Sequence, residues 1–334
     1  MKRALYVILF LSWYLISLLP FWILYGISDA LYVVAYHIWG YRKALVRKQL
    51  RDSFPEKSDS ELLKIEKDYY HWFCDYIVET LKLFSISRQN LMKRMRFEGV
   101  ERVKQSYKEG RNVAVYLGHY CNWEWVSSTP LVFTEHLDRV VFGQIYHKLE
   151  NESMDRLFLY LRGRHGAESI PMAETLRRLI GIKREGKLWT VGFIADQVPF
   201  WNNIHLWLDF LHHDTPVLTG GERIASNFDA DVYYLDMRRE KRGYYVGNYM
   251  LMAEHAAHQP ETEITRSYFH LLEQSICRQP AFYLWTHNRW KRTHEEFNIR
   301  YDAATGRVDL GDLEEIKRRK GIKGLVLWTR RYRL

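Results

Sequence analysis

Residues 4–28 contain no charged side chain, and Leu, Ile, Val, Phe, Tyr and Trp fill most of their positions. About 20 consecutive apolar residues suffice to cross the hydrocarbon core of a bilayer, so this stretch belongs either in a membrane or inside a protein core. A secretory signal would have a shorter apolar region, roughly 7–15 residues, ending at a small-residue cleavage site, and no such site follows. Pro20 interrupts a helix here, while apolar character resumes beyond Asp29 as far as Trp39. The segment therefore reads as one span plus an interfacial helix, or as a kinked helix lying partly in the membrane. Lys2 and Arg3 precede it, and the larger cluster Arg42, Lys43, Arg47, Lys48 and Arg51 follows it. Positive residues stay on the cytoplasmic side, which puts the rest of the chain there.

Beyond the anchor, residues 41–95 carry apolar side chains at helical spacing, among them Leu62, Ile65, Tyr69, Trp72, Phe73 and Tyr76. Ser58 and Glu61 have the spacing of a capping box that starts one of these helices. After Gly99 and Gly110 the texture changes. Residues 112–117 are short, partly β-branched and bounded by turn signals, as a strand would be. Further strands are expected at 139–145, 188–195, 231–237 and 244–250, separated by helices at 152–161, 173–184, 220–227 and 261–279. Alternation of this kind builds a mostly parallel sheet flanked by helices, an α/β fold preceded by an N-terminal membrane-anchor helix. The chain divides into an anchor (1–40), an α/β domain (41–300) and a basic tail (301–334). Its end, Lys317 to Leu334, with Trp328 and Tyr332 among its cations, reads as a membrane-surface helix or as a solvated extension.

With 334 residues, 47% of them hydrophobic, the chain can bury a large core. Its net charge of +9 suits anionic lipid headgroups, phosphorylated substrates or an acidic carrier protein. No zinc-finger spacing or aromatic ribonucleoprotein motif points to nucleic acid. The 12 Trp and 23 Tyr favour surfaces that are apolar on one side and wet on the other. Cys74, Cys121 and Cys277 are odd in number and lack metal or redox spacing, which argues for a reducing compartment.

The chemistry concentrates directly after the strand that ends at Leu117, in Gly118-His119-Tyr120-Cys121-Asn122-Trp123-Glu124. His119 and Glu124 would not share a face of one regular helix, since five steps turn about 500°. With His119 in the strand-to-helix turn, Glu124 in the first helical turn can reach back to one ring nitrogen. The other nitrogen then takes a proton from a substrate hydroxyl, and the helix amino terminus favours developing negative charge. The alternative is a His that caps the helix, with Glu124 a solvated first-turn acid. Asp196 and Gln197, at the end of another strand, are ligand-binding candidates by location or caps of the following loop.

Several blocks, in order, resemble the bacterial lipid A acyltransferases, which share an H-x4-[DE] motif with glycerolipid acyltransferases. Val46-Arg-Lys-Gln-Leu50 leading to Phe54-Pro55 is similar to the family's R-x-N-L…F-P segment, with Gln49 where Asn is usual. Leu117 to Glu124 matches the catalytic block, and Tyr146 to Asp155 followed by Arg162-Gly-Arg164-His-Gly166 the arginine block. Ala195-Asp196-Gln197 matches an (A/P)-D-Q element, and Trp285-Thr-His287-Asn-Arg289-Trp-Lys291 a W-x-H-x-R-x-K block, with Asn288 departing from the common H-R-R run.

The resemblance implies acyl transfer without a resident cofactor, from an acyl thioester on acyl carrier protein or coenzyme A to a hydroxyl of a lipid A precursor. It implies His119 as base, Glu124 as its orienting partner and Arg164, or Arg162, for the thioester oxyanion. Asn122, Asp196 and Gln197 would hold substrate, and His287 and Arg289, with Lys291, would hold its phosphate or organise the end of the sheet. The partners would be a membrane lipid and the carrier protein, at the cytoplasmic face of a bacterial inner membrane. A lysophospholipid or aminolipid acceptor would use the same machinery, and a non-catalytic lipid-binding protein would need no His–acid pair. A Cys121–His119 nucleophile and metal sites at His212-His213-Asp214 or His255-x-x-His258 are rival readings of the same chain.

Overall fold

The computed structural model describes residues 2–322; residues 323–334 of the expected basic tail, Trp328 and Tyr332 among them, lie outside the described residues. Helix α1 (Lys2–Leu18) stops before Pro20, and α2 (Phe21–Tyr32) begins after it and runs on as a wider π-helical turn through Ile38. The uncharged stretch is therefore two helices with a break, not one continuous span, because Pro20 has no N–H to give back to the preceding turn. The break exposes carbonyls at the end of α1, and the Lys82 ammonium caps them, donating to Ser17 O (2.7 Å) and Leu19 O (2.8 Å).

α1 packs one face on the rest of the chain, Phe10 against Phe84 and Tyr160 with ring centroids 5.7 and 5.0 Å apart. Its other face leaves Ile8, Leu11 and Leu15 exposed, and α2 with its continuation exposes Trp22, Ile38 and Trp39. The unit long and apolar enough to cross a bilayer is residues 21–38, with mean hydropathy 1.3 and only 17% of it buried.

Helix α3 (Lys43–Ser53) leads into α4 (Asp59–Lys82), which starts at the anticipated capping box: Glu61 takes the Ser58 N–H at 2.8 Å, and Ser58 Oγ takes the Glu61 N–H. After α5 (Arg88–Arg94) come β1 (Met95–Glu98), α6 (Val100–Lys108) and β2 (Val113–Leu117), every residue of β2 buried. Then follow β3 (Val140–Tyr146), α7 (Glu152–Gly163), β4 (Glu168–Pro171), α8 (Thr175–Arg184) and β5 (Leu188–Ile194). The hairpin β6 (Leu206–Phe210) and β7 (His213–Val217) stands apart from the main sheet. Helix α9 (Gly220–Asn227), strands β8 (Asp231–Lys241) and β9 (Tyr244–Ala253) and helix α10 (Glu263–Arg278) complete the central layer. The last described elements are α11 (His294–Arg300), the short pair β10 (Tyr301–Asp302) and β11 (Arg307–Val308), and α12 (Leu313–Arg319).

The seven-stranded sheet has the order β1-β9-β8-β2-β5-β3-β4. From β8 to β4 every pairing is parallel, while β9 runs antiparallel to β8 and carries β1 parallel to itself. The architecture is thus the expected α/β fold with a mostly parallel sheet and helices around it. The β6–β7 hairpin escapes a sequence reading because its turn, Leu211 and His212, takes left-handed backbone without a glycine or asparagine to signal it (φ 52° and 62°). The helix expected after β2 is instead a 3₁₀ stretch, Trp123–Val132. Ser127 and Ser128 hydroxyls bond the carbonyls three residues back (2.6 and 2.7 Å), and Pro130 removes an N–H, so an α-helical ladder is not continued.

Gly99 joins β1 to α6 with φ 71°, and a Cβ there would press on the Tyr249 carbonyl oxygen of β9. Gly99→Ala is expected to lower stability by at least about 1 kcal/mol, read as an earlier midpoint in urea unfolding.

Candidate active site

The site forms where two neighbouring parallel strands end together. In the β2–β5 ladder Leu117 lies beside Ile194, so the second residue beyond each strand, His119 and Asp196, arrives at the same height. This is the carboxyl end of the sheet, where α/β folds bind ligands. The loop from His119 is pinned from outside by the segment after α10: Leu284 N–H donates to His119 O (3.1 Å), and Cys121 N–H to Phe282 O (2.9 Å). The Tyr268 hydroxyl donates to Leu117 O at 2.9 Å and secures the strand end.

Asp196, 1% exposed, grips His119 twice: Oδ2 accepts the His119 backbone N–H at 3.0 Å, and Oδ1 faces Nδ1 at 2.7 Å. Burial alone would raise this carboxyl. His119, its two hydrogen bonds and Arg289 outweigh burial and hold Asp196 below the usual carboxylate range. Gln197 Nε2 lies 3.2 Å from His119 Nε2. An amide N–H there donates to an Nε2 lone pair when the imidazole proton is on Nδ1, the side that the Asp196 carboxylate faces. Trp123 stands edge-on to the His119 ring at 5.1 Å and forms an apolar wall with Tyr76, 4.2 Å from it.

Glu124 does not take the position expected of it beside His119. Its two carboxylate oxygens hold Arg162 of α7 in a bidentate pair (2.8 and 2.6 Å), and Glu124 is 3% exposed. The 3₁₀ turn directs this side chain away from the strand end and towards α7, and Asp196 fills the place it leaves. The pair fastens the loop that carries His119 to α7. Arg164 is likewise engaged elsewhere, donating to the carbonyls of Leu83 and Ile86 just beyond α4, so of the two arginines only Arg162 meets the catalytic block.

Asn122 is fully buried and faces the interior. Its Oδ1 accepts the Trp125 N–H (3.2 Å), capping the 3₁₀ turn, and its Nδ2 donates to Glu79 of α4 (2.8 Å). Arg289, 1% exposed, lies behind Asp196 with Nη2 donating to Pro216 O (2.8 Å), and it therefore acts on the site through its charge. His287 accepts the Val198 N–H at Nε2 (3.5 Å), holding the loop that follows Gln197. Burial pushes its pKa down to about 4. Gln49, the departure in the amino-terminal block, accepts the Arg289 N–H and donates to the carbonyls of Trp285 and His287, tying α3 to this segment.

The rival readings fare differently. Cys121 is fully buried, and burial pushes its thiol far above the ordinary value. Among the described residues no group of three or more His, Cys, Asp or Glu side chains is placed to hold a metal ion. His213 stacks on Trp290, Asp214 pairs with His294 and His255 with Asp229. Residues that sequence reasoning missed are Tyr268, Trp123 and Glu79. Tyr268 and Glu79 showed only helical spacing, which does not join them to His119, whereas Trp123 stands in the same block as His119.

A neutral His287 in the fold and a protonated one in the unfolded chain make stability fall as pH drops from about 6.5 to about 4, because only the unfolded chain takes up the proton in that window. The destabilisation caused by His287→Gln should accordingly shrink between pH 7 and pH 4, measured by urea unfolding of both proteins.

Residues 1–292 match the family model described as bacterial lipid A biosynthesis acyltransferase. No curated protein matches the chain. With a match over most of its length, and with the histidine of the H-x4-[DE] block at a parallel strand end, the chain belongs to the bacterial lipid A biosynthesis acyltransferase family.

Proposed function

We propose that the protein transfers a fatty acyl group from an acyl thioester to a hydroxyl of a lipid A precursor, with His119 as general base. The observation that carries this reading is the Asp196–His119 hydrogen bond, which favours the tautomer with Nδ1 protonated and Nε2 able to take a proton, in a member of this family. His119 Nε2 takes the proton of the acceptor hydroxyl as its oxygen attacks the thioester carbonyl carbon. The C–S bond breaks, and the thiolate leaves with the proton that His119 returns. Asp196 stabilises the imidazolium between these steps. Gln197 Nε2 is the side-chain donor beside the reacting nitrogen and is suited to the oxyanion.

Charge supports the choice of substrates. Lys291, Arg292 and Arg42 gather beside the site, where partial burial, then Arg292 and Arg42, lower the pKa of Lys291. Such a cluster favours the phosphates of a lipid A precursor and of a phosphopantetheine thioester, and the net charge of +9 favours an acidic acyl carrier protein as donor. The exposed apolar faces of α1 and α2 would seat the enzyme in the bacterial inner membrane, with the flanking cations keeping the catalytic domain on the cytoplasmic face.

Asp196→Asn should reduce kcat about 100-fold or more with the fold intact, since an amide in that place favours the wrong imidazole tautomer. His119→Ala should abolish turnover in an assay with acyl carrier protein thioester and lipid A precursor. Mass spectrometry of lipid A from cells with and without the protein should show one acyl chain lost. Unchanged lipid A beside an altered lysophospholipid or aminolipid would replace the acceptor named here. The triple change Trp22→Asn, Ile38→Asn and Trp39→Asn should move the protein from the membrane to the soluble fraction.

A further inference from the structure

Glu79 of α4 is a fully buried carboxylate outside the catalytic pair, and three elements meet on it. Tyr25 of α2 donates to Oε1 at 3.1 Å; Asn122 of the catalytic loop and Tyr245 of β9 donate to Oε2, each at 2.8 Å. The backbone carbonyl of the same residue accepts the Trp125 indole N–H at 3.0 Å. Asn122 can turn only one end towards the loop, and Glu79 determines which. With its Nδ2 on Glu79, its Oδ1 is left to cap Trp125. A second line of contact runs beside the first. Phe21, at the start of α2, meets the Trp125 ring edge-on at 6.3 Å, and Tyr245 meets it at 5.8 Å.

We propose that Glu79 is a positioning residue that transmits the seating of α2 to the catalytic loop, ordering residues 118–126 when the apolar face of α2 is held by lipid. The lever is physical. α2 exposes Trp22 on one flank and Ile27 and Leu31 on the other, and presents Tyr25 and Phe21 to the chain, so a force on the exposed side chains reaches Asn122 and Trp125 through one carboxylate and one ring contact. A second buried carboxylate, Asp75, one turn earlier on α4, anchors the same seam. It accepts from Ser28 of α2 (2.7 Å) and from Arg239 (2.8 Å) and Arg242 (2.7 Å) of the β8–β9 hairpin.

The coupling depends on charge. An ionised Glu79 accepts from three donors, whereas a protonated one turns one oxygen into a donor and accepts more weakly from the groups around it. Burial first, then Asp75, push Glu79 up to about 7, against Arg239, Tyr245 and Asn122. The other ionisable groups facing it are Tyr25 on α2 and Cys121 in the loop. Between about 4.5 and 7 the folded protein holds a proton there that the unfolded chain has lost, so this group's contribution to stability falls as pH rises through that window. Glu79→Gln, which mimics the protonated form, should therefore be no less stable than the parent at pH 8, and the variant remains folded for the test.

The inference rests on the acyl-transfer reading only for its activity measurement. Full-length protein in phosphatidylethanolamine–phosphatidylglycerol vesicles is compared with Glu79→Gln and Tyr25→Phe by amide hydrogen exchange of residues 118–126 at pH 6 and pH 8, corrected for intrinsic rates. The parent should show protection about tenfold higher at pH 8 than at pH 6, because closing the loop brings the Asn122 donor to a carboxyl that stays buried and so favours its ionised form, although the same ionisation lowers stability against global unfolding. Glu79→Gln should show the lower level at both, with kcat at pH 8 reduced about tenfold and KM within about twofold. Tyr25→Phe should shift both readouts in the same direction by less. Parent-like protection and pH response in Glu79→Gln would overturn the proposal. A parent without acyl transfer but with the expected exchange pattern would instead remove the acyl-transfer reading and leave the coupling standing.

Discussion

The site depends on one main-chain register, Leu117 beside Ile194 in two parallel strands. Side chains alternate along a strand with a period of two, so a slip of one residue would turn every one of them to the other face. Here the register is held by burial on both sides of β2, whose residues are all interior, and by its central place in the sheet between β8 and β5. Given that register, His119 and Asp196 need no further search to meet. A buried carboxylate would ordinarily shed its charge, yet Asp196 keeps it because two N–H groups of one residue and the cation of Arg289 converge on it.

Around this centre charged side chains from several elements build a frame. Glu124 with Arg162, and Asp75 with Arg239 and Arg242, are ion pairs with at least one partner nearly buried. Such pairs add little net stability over apolar packing, but breaking one leaves a buried charge alone. Their effect is to make one arrangement of α2, α4, α7 and the β8–β9 hairpin far better than its neighbours. The loop bearing His119 is thus held to α7 by Glu124 on Arg162, to α4 by Asn122 on Glu79, and by the main chain after α10.

Much of this was legible in the residues. The alternation of β-branched runs with helical spacing anticipates β2, β3, β5, β8 and β9, and Ser58 with Glu61 marks the start of α4. Strands β1 and β4 were not legible, being four residues each with no run long enough to show a period. The anchor shows both sides of the matter. Its lack of charge is plain in the sequence, and so is Pro20. That α1 lies with one face on α7 and on the segment just after α4 follows from aromatic contacts such as Phe10–Tyr160 and Phe10–Phe84, between residues distant in sequence.

The sequence by itself determined the elements and the chemistry available: an uncharged amino terminus, an α/β alternation, and a histidine with acids and arginines near strand ends. These follow from local propensity and from periods of two and 3.6 residues, which a chain carries in its order. Only the tertiary structure decided which acid serves the histidine. Glu124 is five positions away along the chain but faces Arg162, while Asp196, 77 positions away, lies 2.7 Å from Nδ1. The reason is physical: strand pairing sets neighbours by hydrogen-bond register across the sheet, and a 3₁₀ turn rather than an α-helix after β2 sends Glu124 to the other side of the loop. Proximity in sequence suggested the partner, and the sheet supplied a different one.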